Sequence, residues 1–260
     1  MPLVSSPAQP PATTPQRLDV VLVERGLAPS RERAQALIAA GMVEVAGEKA
    51  TSAARRVGGS DAVRLLGRDH PWASRGGLKL AAALDAFAVD PSGRVALDAG
   101  ASTGGFTDVL LQRGAALVYA VDVGYGQLLG RIAGDRRVHV LDRTNLRLLR
   151  ELPGPAPSLV TLDLSFISLR AVLPRVAELA EPGAEVVALV KPQFEVGREH
   201  VGKGGIVRDE ALGEQAAREL GAWAEATLMA RADGLIPSPI TGTKGNREWL
   251  IRLRLRERAP

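Results

Sequence analysis

The run V-A-L-D-A-G-A-S-T-G-G-F at Val95 to Phe106 leaves this chain few folds to choose from. Three apolar residues meet an acid, Asp98, then a turn holding Gly100, Gly104 and Gly105, then helical spacing from Phe106 through Leu110 and Leu111. That order predicts a strand, a tight turn and a helix. Glycine reaches positive φ and lets a ligand approach where a Cβ would collide, and the free N–H groups of a helix start attract negative charge. The corner therefore suits a nucleotide-like ligand. The alternation continues down the chain, with strand-like runs at Val95 to Asp98, Leu117 to Asp122, Val138 to Asp142, Leu159 to Leu164 and Val186 to Lys191, and two more near Leu235 and Trp249. With helical stretches between them, these runs predict a doubly wound α/β domain with a mostly parallel seven-stranded sheet, whose ligands bind at the carboxyl ends of the strands. Asp98, Asp122, Asp142, Asp163 and Lys191 all fall at or near such ends.

The glycine spacing narrows the ligand. A dinucleotide fingerprint reads G-x-G-x-x-G, whereas here Ala101, Ser102 and Thr103 separate Gly100 from the Gly104-Gly105 pair. The opening that admits a pyrophosphate is missing. Asp122, closing the second strand twenty-four residues after Asp98, is placed to accept hydrogen bonds from ribose hydroxyls. The combination resembles the S-adenosylmethionine site of Rossmann-like methyltransferases, and the candidate cofactor contacts are Asp98, Gly100, Ser102, Thr103, Gly104, Gly105, Phe106, Asp122 and Asp142.

Further along the rim, Asp163 sits among apolar neighbours in T-L-D-L-S-F-I-S, where burial is costly without a positive partner. Lys191, in L-V-K-P-Q-F-E, ends an apolar strand; partial burial and a second cation nearby lower a lysine pKa and make it a base. Glu248 follows Gly242 to Arg247 and starts the last strand, placed to orient a lysine. Lys79 lies off the apolar stripe of a helix predicted over Leu78 to Phe87, and on its own reads as a surface lysine.

Composition excludes other chemistries. The 260 residues contain no cysteine and three histidines, which rules out disulfides and thiol nucleophiles and makes a metal centre an unexpected find. The start lacks a signal-peptide pattern, and no apolar run reaches the roughly 18 to 20 residues that span a bilayer, so the chain is expected to be cytoplasmic. Met1 to Gln16 holds five prolines and no periodicity, a disordered lead-in. The chain has 33 Lys+Arg and 29 Asp+Glu; Arg17 to Lys79 holds 11 of the former and 7 of the latter, so the entire basic excess lies there. A polyanionic partner would first bind in that quarter.

The pattern within that quarter is a helix on Leu18, Val21 and Leu22 closed by Gly26, a second helix capped by Ser30 and running to Gly41, then a small hairpin turning at Gly47. With R-L-D-x-x-L-V-x-R-G-L from Arg17 and S-R-E-R-A from Ser30, residues 17–66 resemble the S-four-type RNA-binding module of a small-subunit ribosomal protein. The resemblance implies that Arg17, Arg31, Arg33 and Lys49 track RNA backbone, mainly through phosphates and shape. Residues 67–77 are rich in turn formers and read as the interdomain linker, with His70 exposed in it, and 78–260 as the methyltransferase domain.

Taken together, S-R-G-G-L-K-L, L-D-A-G-A-S-T-G-G-F-T, V-D-V-G-Y-G-Q, D-L-S-F-I-S-L, L-V-K-P-Q-F-E-V-G, V-G-x-G-G-I-V and G-N-R-E-W resemble the TlyA, or haemolysin-like, family over about Arg17 to Leu253. The resemblance implies an S-adenosylmethionine-dependent enzyme that methylates a ribose 2′-OH of ribosomal RNA, with cytidine as the expected target. The catalytic Lys-Asp-Lys-Glu tetrad of related ribose methyltransferases maps onto Lys79, Asp163, Lys191 and Glu248, with Lys191 as base and no metal. D-R-T-N at Asp142 departs from relatives that carry Glu first, and either acid serves near the adenine. Three other readings remain: a small-molecule methyltransferase, an RNA-binding protein without catalysis, and a membrane lysin, for which the chain shows no amphipathic or spanning segment. The target nucleotide, the subunit that carries it and the oligomeric state are not readable. The glycine-rich stretch Gly197 to Val207 is either a lid or a loose loop.

Overall fold

The computed structural model describes residues 15–28, 30–66 and 70–257. They form two compact units, the first ending at Asp69 and the second beginning at His70. Positions 1–14 of the expected lead-in and 67–69 of the expected linker lie outside the described residues.

The first unit runs β1 (Gln16–Arg17), α1 (Leu18–Glu24), α2 (Arg31–Ala39), β2 (Val43–Val45), β3 (Glu48–Lys49), β4 (Arg56–Val57) and β5 (Val63–Leu65). β1 pairs with β4, and β2 pairs antiparallel with both β3 and β5. Ser30 starts α2 by accepting the Arg33 N–H on its hydroxyl at 3.2 Å, the usual exchange of a side-chain oxygen for an orphan amide. Leu18, Leu22, Leu37, Ile38, Val43, Val45 and Val57 form a small core. At its edge lies an acid the sequence did not single out. Asp19, fully buried, accepts hydrogen bonds from Arg17 (3.0 and 3.1 Å), Arg31 (3.0 Å) and Gln35 (2.8 Å). The Arg17 guanidinium holds the Asp19 carboxyl well below the usual carboxylate range.

The second unit contains α3 (Gly76–Ala86), β6 (Val95–Ala99), α4 (Gly105–Gln112), β7 (Leu117–Val121), α5 (Gly130–Ala133), β8 (Val138–Leu141), β9 (Leu159–Leu162), α6 (Leu173–Leu179), β10 (Glu185–Val190), α7 (Pro192–Glu195), α8 (Glu210–Leu228), β11 (Arg231–Pro237) and β12 (Trp249–Arg254). Seven strands form one sheet in the order β11-β12-β10-β9-β6-β7-β8, with β12 antiparallel to both neighbours and the remaining pairs parallel. The strands read as nearly continuous apolar runs because both faces are covered. Leu97, Ala99, Val160, Leu162, Val186 and Ala188 pack with α6 and α8, and Ala96, Val118, Ala120, Val187 and Leu189 pack with α3 and α4.

The chain leaves β6 outward to β7 and β8, then crosses back to β9 on the other side of β6. That reversal opens a crevice at the carboxyl ends of β6 and β9. Residues 70–77 fold with the second unit instead of merely spanning to it. Trp72 packs on Gly77, Ser74 packs on Gly105 at the start of α4, and His70 is 7 % exposed, not free in solvent. Close packing on two glycines anchors a stretch that composition alone reads as a connection.

Candidate active site

The turn after β6 is held by its neighbours on both sides. Gly100 N–H donates to the Val121 carbonyl (2.8 Å), and Asp163 N–H donates to the Ala99 carbonyl (3.0 Å). Gly100 has φ +85°, and a Cβ there would collide with the Asp163 carbonyl oxygen, so both the conformation and the space demand glycine. Ser102 adopts φ +45° and Gly104 φ +91° before α4 begins. Asp122 accepts the Ser102 N–H at 2.8 Å and the Gly124 N–H at 2.7 Å, and Asp142 accepts the Gly126 N–H at 2.9 Å. The two acids thus fasten the glycine turn and the loop after β7 into one rim, with Thr103 half-buried between them and the helix start.

Two residues expected at the ligand surface lie deeper. Phe106 is 3 % exposed and belongs to the core between α3, α4 and the sheet. Asp98 is fully buried, and its carboxylate accepts the hydroxyls of Thr107 (2.6 Å) and Thr161 (3.1 Å). It clasps β6 to α4 and β9 instead of facing the crevice, because the strand pleat turns it toward α4. Burial pushes the Asp98 carboxyl up to about 7 despite those hydroxyls. An acid whose folded pKa is raised stabilises the fold below its unfolded pKa and loses that advantage as pH rises through the folded value. Urea unfolding of the wild type and Asp98→Asn should therefore diverge, the wild type losing up to about 4 kcal/mol relative to the variant between about pH 4 and 7. Parallel pH profiles would show that Asp98 does not titrate in the fold.

Beyond the turn, two acid–lysine pairs assemble. Lys191, at the end of β10, lies 2.7 Å from Asp163, just past β9, and its Nζ donates to the Ser165 hydroxyl at 2.9 Å. Lys79, in α3, lies 2.5 Å from Glu248 at the start of β12, and side-chain exposures of 10 % and 3 % make this a buried pair. Lys79 is therefore no surface lysine. Glu248 fits because Gly242 has no Cβ, which would strike its carboxylate. A cavity of about 370 Å³ holds Lys191 and Glu248 together with Ser165, Phe166, Phe194, Gly205, Gly242 and Asn246. Phe166 is 87 % exposed at φ +65° and meets Phe194 with ring centroids 5.4 Å apart. An exposed aromatic held in a costly backbone conformation is a feature of binding sites. A larger cavity of about 540 Å³, lined by Ala177, Glu181, Leu228, Leu255, Arg256 and Glu257, carries neither pair.

Sequence reasoning passed over Ser165, Phe166, Phe194, Thr107, Thr161 and Asn246, although all six stand inside motifs it quoted. Of the RNA-contact candidates, Arg17 and Arg31 share Asp19, Arg33 lies half-buried in α2, and Lys49 is exposed in β3. Among the described residues no cluster of His, Asp and Glu is arranged to hold a metal ion, and no helix is long and apolar enough to cross a membrane.

Comparison with known proteins identifies relatives of this chain. The FtsJ-like methyltransferase family matches residues 72–255, and the S4 domain matches residues 16–63. The 16S/23S rRNA (cytidine-2'-O)-methyltransferase TlyA of Mycobacterium tuberculosis is 48 % identical over 240 residues, covering 92 % of this chain and 89 % of that protein. The putative rRNA methyltransferase YqxC of Bacillus subtilis is 44 % identical, covering 92 % of this chain and 85 % of that protein. A putative hemolysin from Streptococcus thermophilus superposes with a TM-score of 0.73 at 40 % identity, over 95 % of this chain and 90 % of that one. The chain belongs to the TlyA family of FtsJ-like methyltransferases, with an S4 domain ahead of its methyltransferase domain.

Proposed function

We propose that the protein methylates the 2′-hydroxyl of a cytidine in ribosomal RNA, using S-adenosylmethionine, and works in the cytoplasm where ribosomes are. The observation that carries the reading is the pair of acid–lysine contacts, Lys191 with Asp163 and Lys79 with Glu248, beside a glycine turn whose conformation and space exclude a Cβ. The residues fit the cofactor. Asp122 and Asp142 spend only part of their acceptor capacity on loop amides, leaving lone pairs for ribose hydroxyls and for an adenine amino group. Gly100, Ser102, Thr103, Gly104 and Gly105 supply close backbone, while Asp98 and Phe106 support that backbone from behind. When bound, S-adenosylmethionine supplies an electrophilic methyl group.

The chain's own residues do the rest. Lys191, as the free amine, accepts the proton of the ribose hydroxyl, and Asp163, 2.7 Å away, stabilises the ammonium that forms. Ser165 fixes the direction of Nζ. Lys79, held by Glu248, offsets negative charge developing on the ribose oxygen. Phe166 and Phe194 offer a face on which a base swung out of its stack can lie. The first unit brings Arg17, Arg31, Arg33 and Lys49 to RNA backbone.

The test is methyl transfer from labelled S-adenosylmethionine to purified ribosomal subunits and to naked rRNA, with ribose methylation mapped by resistance to alkaline cleavage. Label on a cytidine 2′-oxygen is expected. Cofactor binding without label on any RNA would point to a small-molecule substrate or to loss of catalysis.

A further inference from the structure

Asn246 is 2 % exposed and lies in the turn between β11 and β12, yet both ends of its side chain serve another segment. Its Oδ1 accepts the Val207 N–H at 2.9 Å, and its Nδ2 donates to the Gly205 carbonyl at 2.8 Å. Its own carbonyl accepts the Gly242 N–H at 2.9 Å, the glycine on which the Glu248 carboxylate rests. One residue therefore ties a distant hairpin to the cradle of a candidate catalytic acid.

The hairpin needs such a tie. It closes on the single bridge between Gly202 and Ile206, and Gly204 and Gly205 hold φ of +83° and +82°. Three glycines among its five residues offer no side chains to pack and have the most conformational freedom to lose, so external bonds set its position. Val201 and Gly205 line the cavity that holds Lys191 and Glu248, so a displaced hairpin removes a wall of that cavity.

We propose that Asn246 is a positioning residue for RNA: it holds the Gly202–Ile206 hairpin as the wall against which the target nucleotide is seated, and leaves the cofactor site untouched. The inference rests on the reading of the cavity as the acceptor-nucleotide site. On this proposal the Gly202–Ile206 part of the glycine-rich stretch acts as a fastened wall.

The experiment compares wild type, Asn246→Ala and Asn246→Asp in the full chain, using the RNA that the wild type methylates. Removing two buried hydrogen bonds should raise the KM for RNA about tenfold or more in Asn246→Ala, with kcat within about threefold and the dissociation constant for S-adenosylmethionine within about twofold. Asn246→Asp keeps the acceptor for Val207 but sets a buried carboxylate oxygen against the Gly205 carbonyl, so it should raise the KM for RNA at least as much as Asn246→Ala. An unchanged KM, or cofactor binding weakened in parallel with RNA, overturns the proposal. Hydrogen exchange keeps it testable should the alanine variant not fold: slow exchange of the Val207 amide is expected in the wild type, and rapid exchange overturns the clamp. A wild type that binds cofactor but methylates no RNA would strike the functional reading itself, in an arm containing no variant, and takes the proposal with it.

Discussion

Lys191→Ala is expected to lower methyl transfer by about three orders of magnitude while cofactor and RNA binding stay within a few-fold of wild type. The asymmetry follows from placement. Lys191 stands at the end of β10 with its Nζ between Asp163 and Ser165, inside the 370 Å³ cavity, whereas the Ser102, Asp122 and Asp142 contacts that fasten the cofactor rim do not involve it. Single-turnover transfer at saturating cofactor and RNA isolates the chemical step, and separate binding titrations provide the control. Retained turnover would rule out Lys191 as the base. A parallel loss of cofactor affinity would assign it to the architecture of the rim instead.

Glu248→Ala should damage both fold and activity. It leaves the ammonium of Lys79, whose side chain is 10 % exposed, without its acid, and stranding one member of a buried pair costs about 3–5 kcal/mol. Restoring apolar matter at both positions separates the two roles. Lys79→Met with Glu248→Leu should regain much of the unfolding free energy, since well-packed apolar residues replace buried ion pairs with little loss, but should remain inactive. Denaturant melts together with the transfer assay read both quantities. Activity in the double variant would mean that the pair is structural alone.

Much of the scaffold could be read from local pattern. The apolar runs ending in Asp98, Asp122 and Lys191 predicted strands whose ends converge, and the sheet places them so because alternation of strand and helix admits few topologies. The turn at Gly100 was legible for the same reason, since a positive φ leaves its mark in residue choice. Pairings across long stretches of chain leave no such mark. Lys79 and Glu248 are 169 positions apart, and the polar side of a helix gives no sign that a strand start will bury it. Asp98 lies deeper than its place at a strand end suggests, because a strand's end residue can face either way. Which way it faces depends on Thr107 and Thr161, one on the next helix and one on the neighbouring strand. Asn246 was hidden likewise, its partners lying some forty residues upstream.

On the proposal that Arg17 and Arg31 meet RNA phosphate, the buried carboxylate of Asp19 has a thermodynamic consequence. A long arginine side chain forfeits up to about 2 kcal/mol of rotamer entropy when it is immobilised. Arg17 and Arg31 are already held by Asp19, so on that proposal part of this loss would be incurred when the S4 domain folds and would not recur when phosphate arrives.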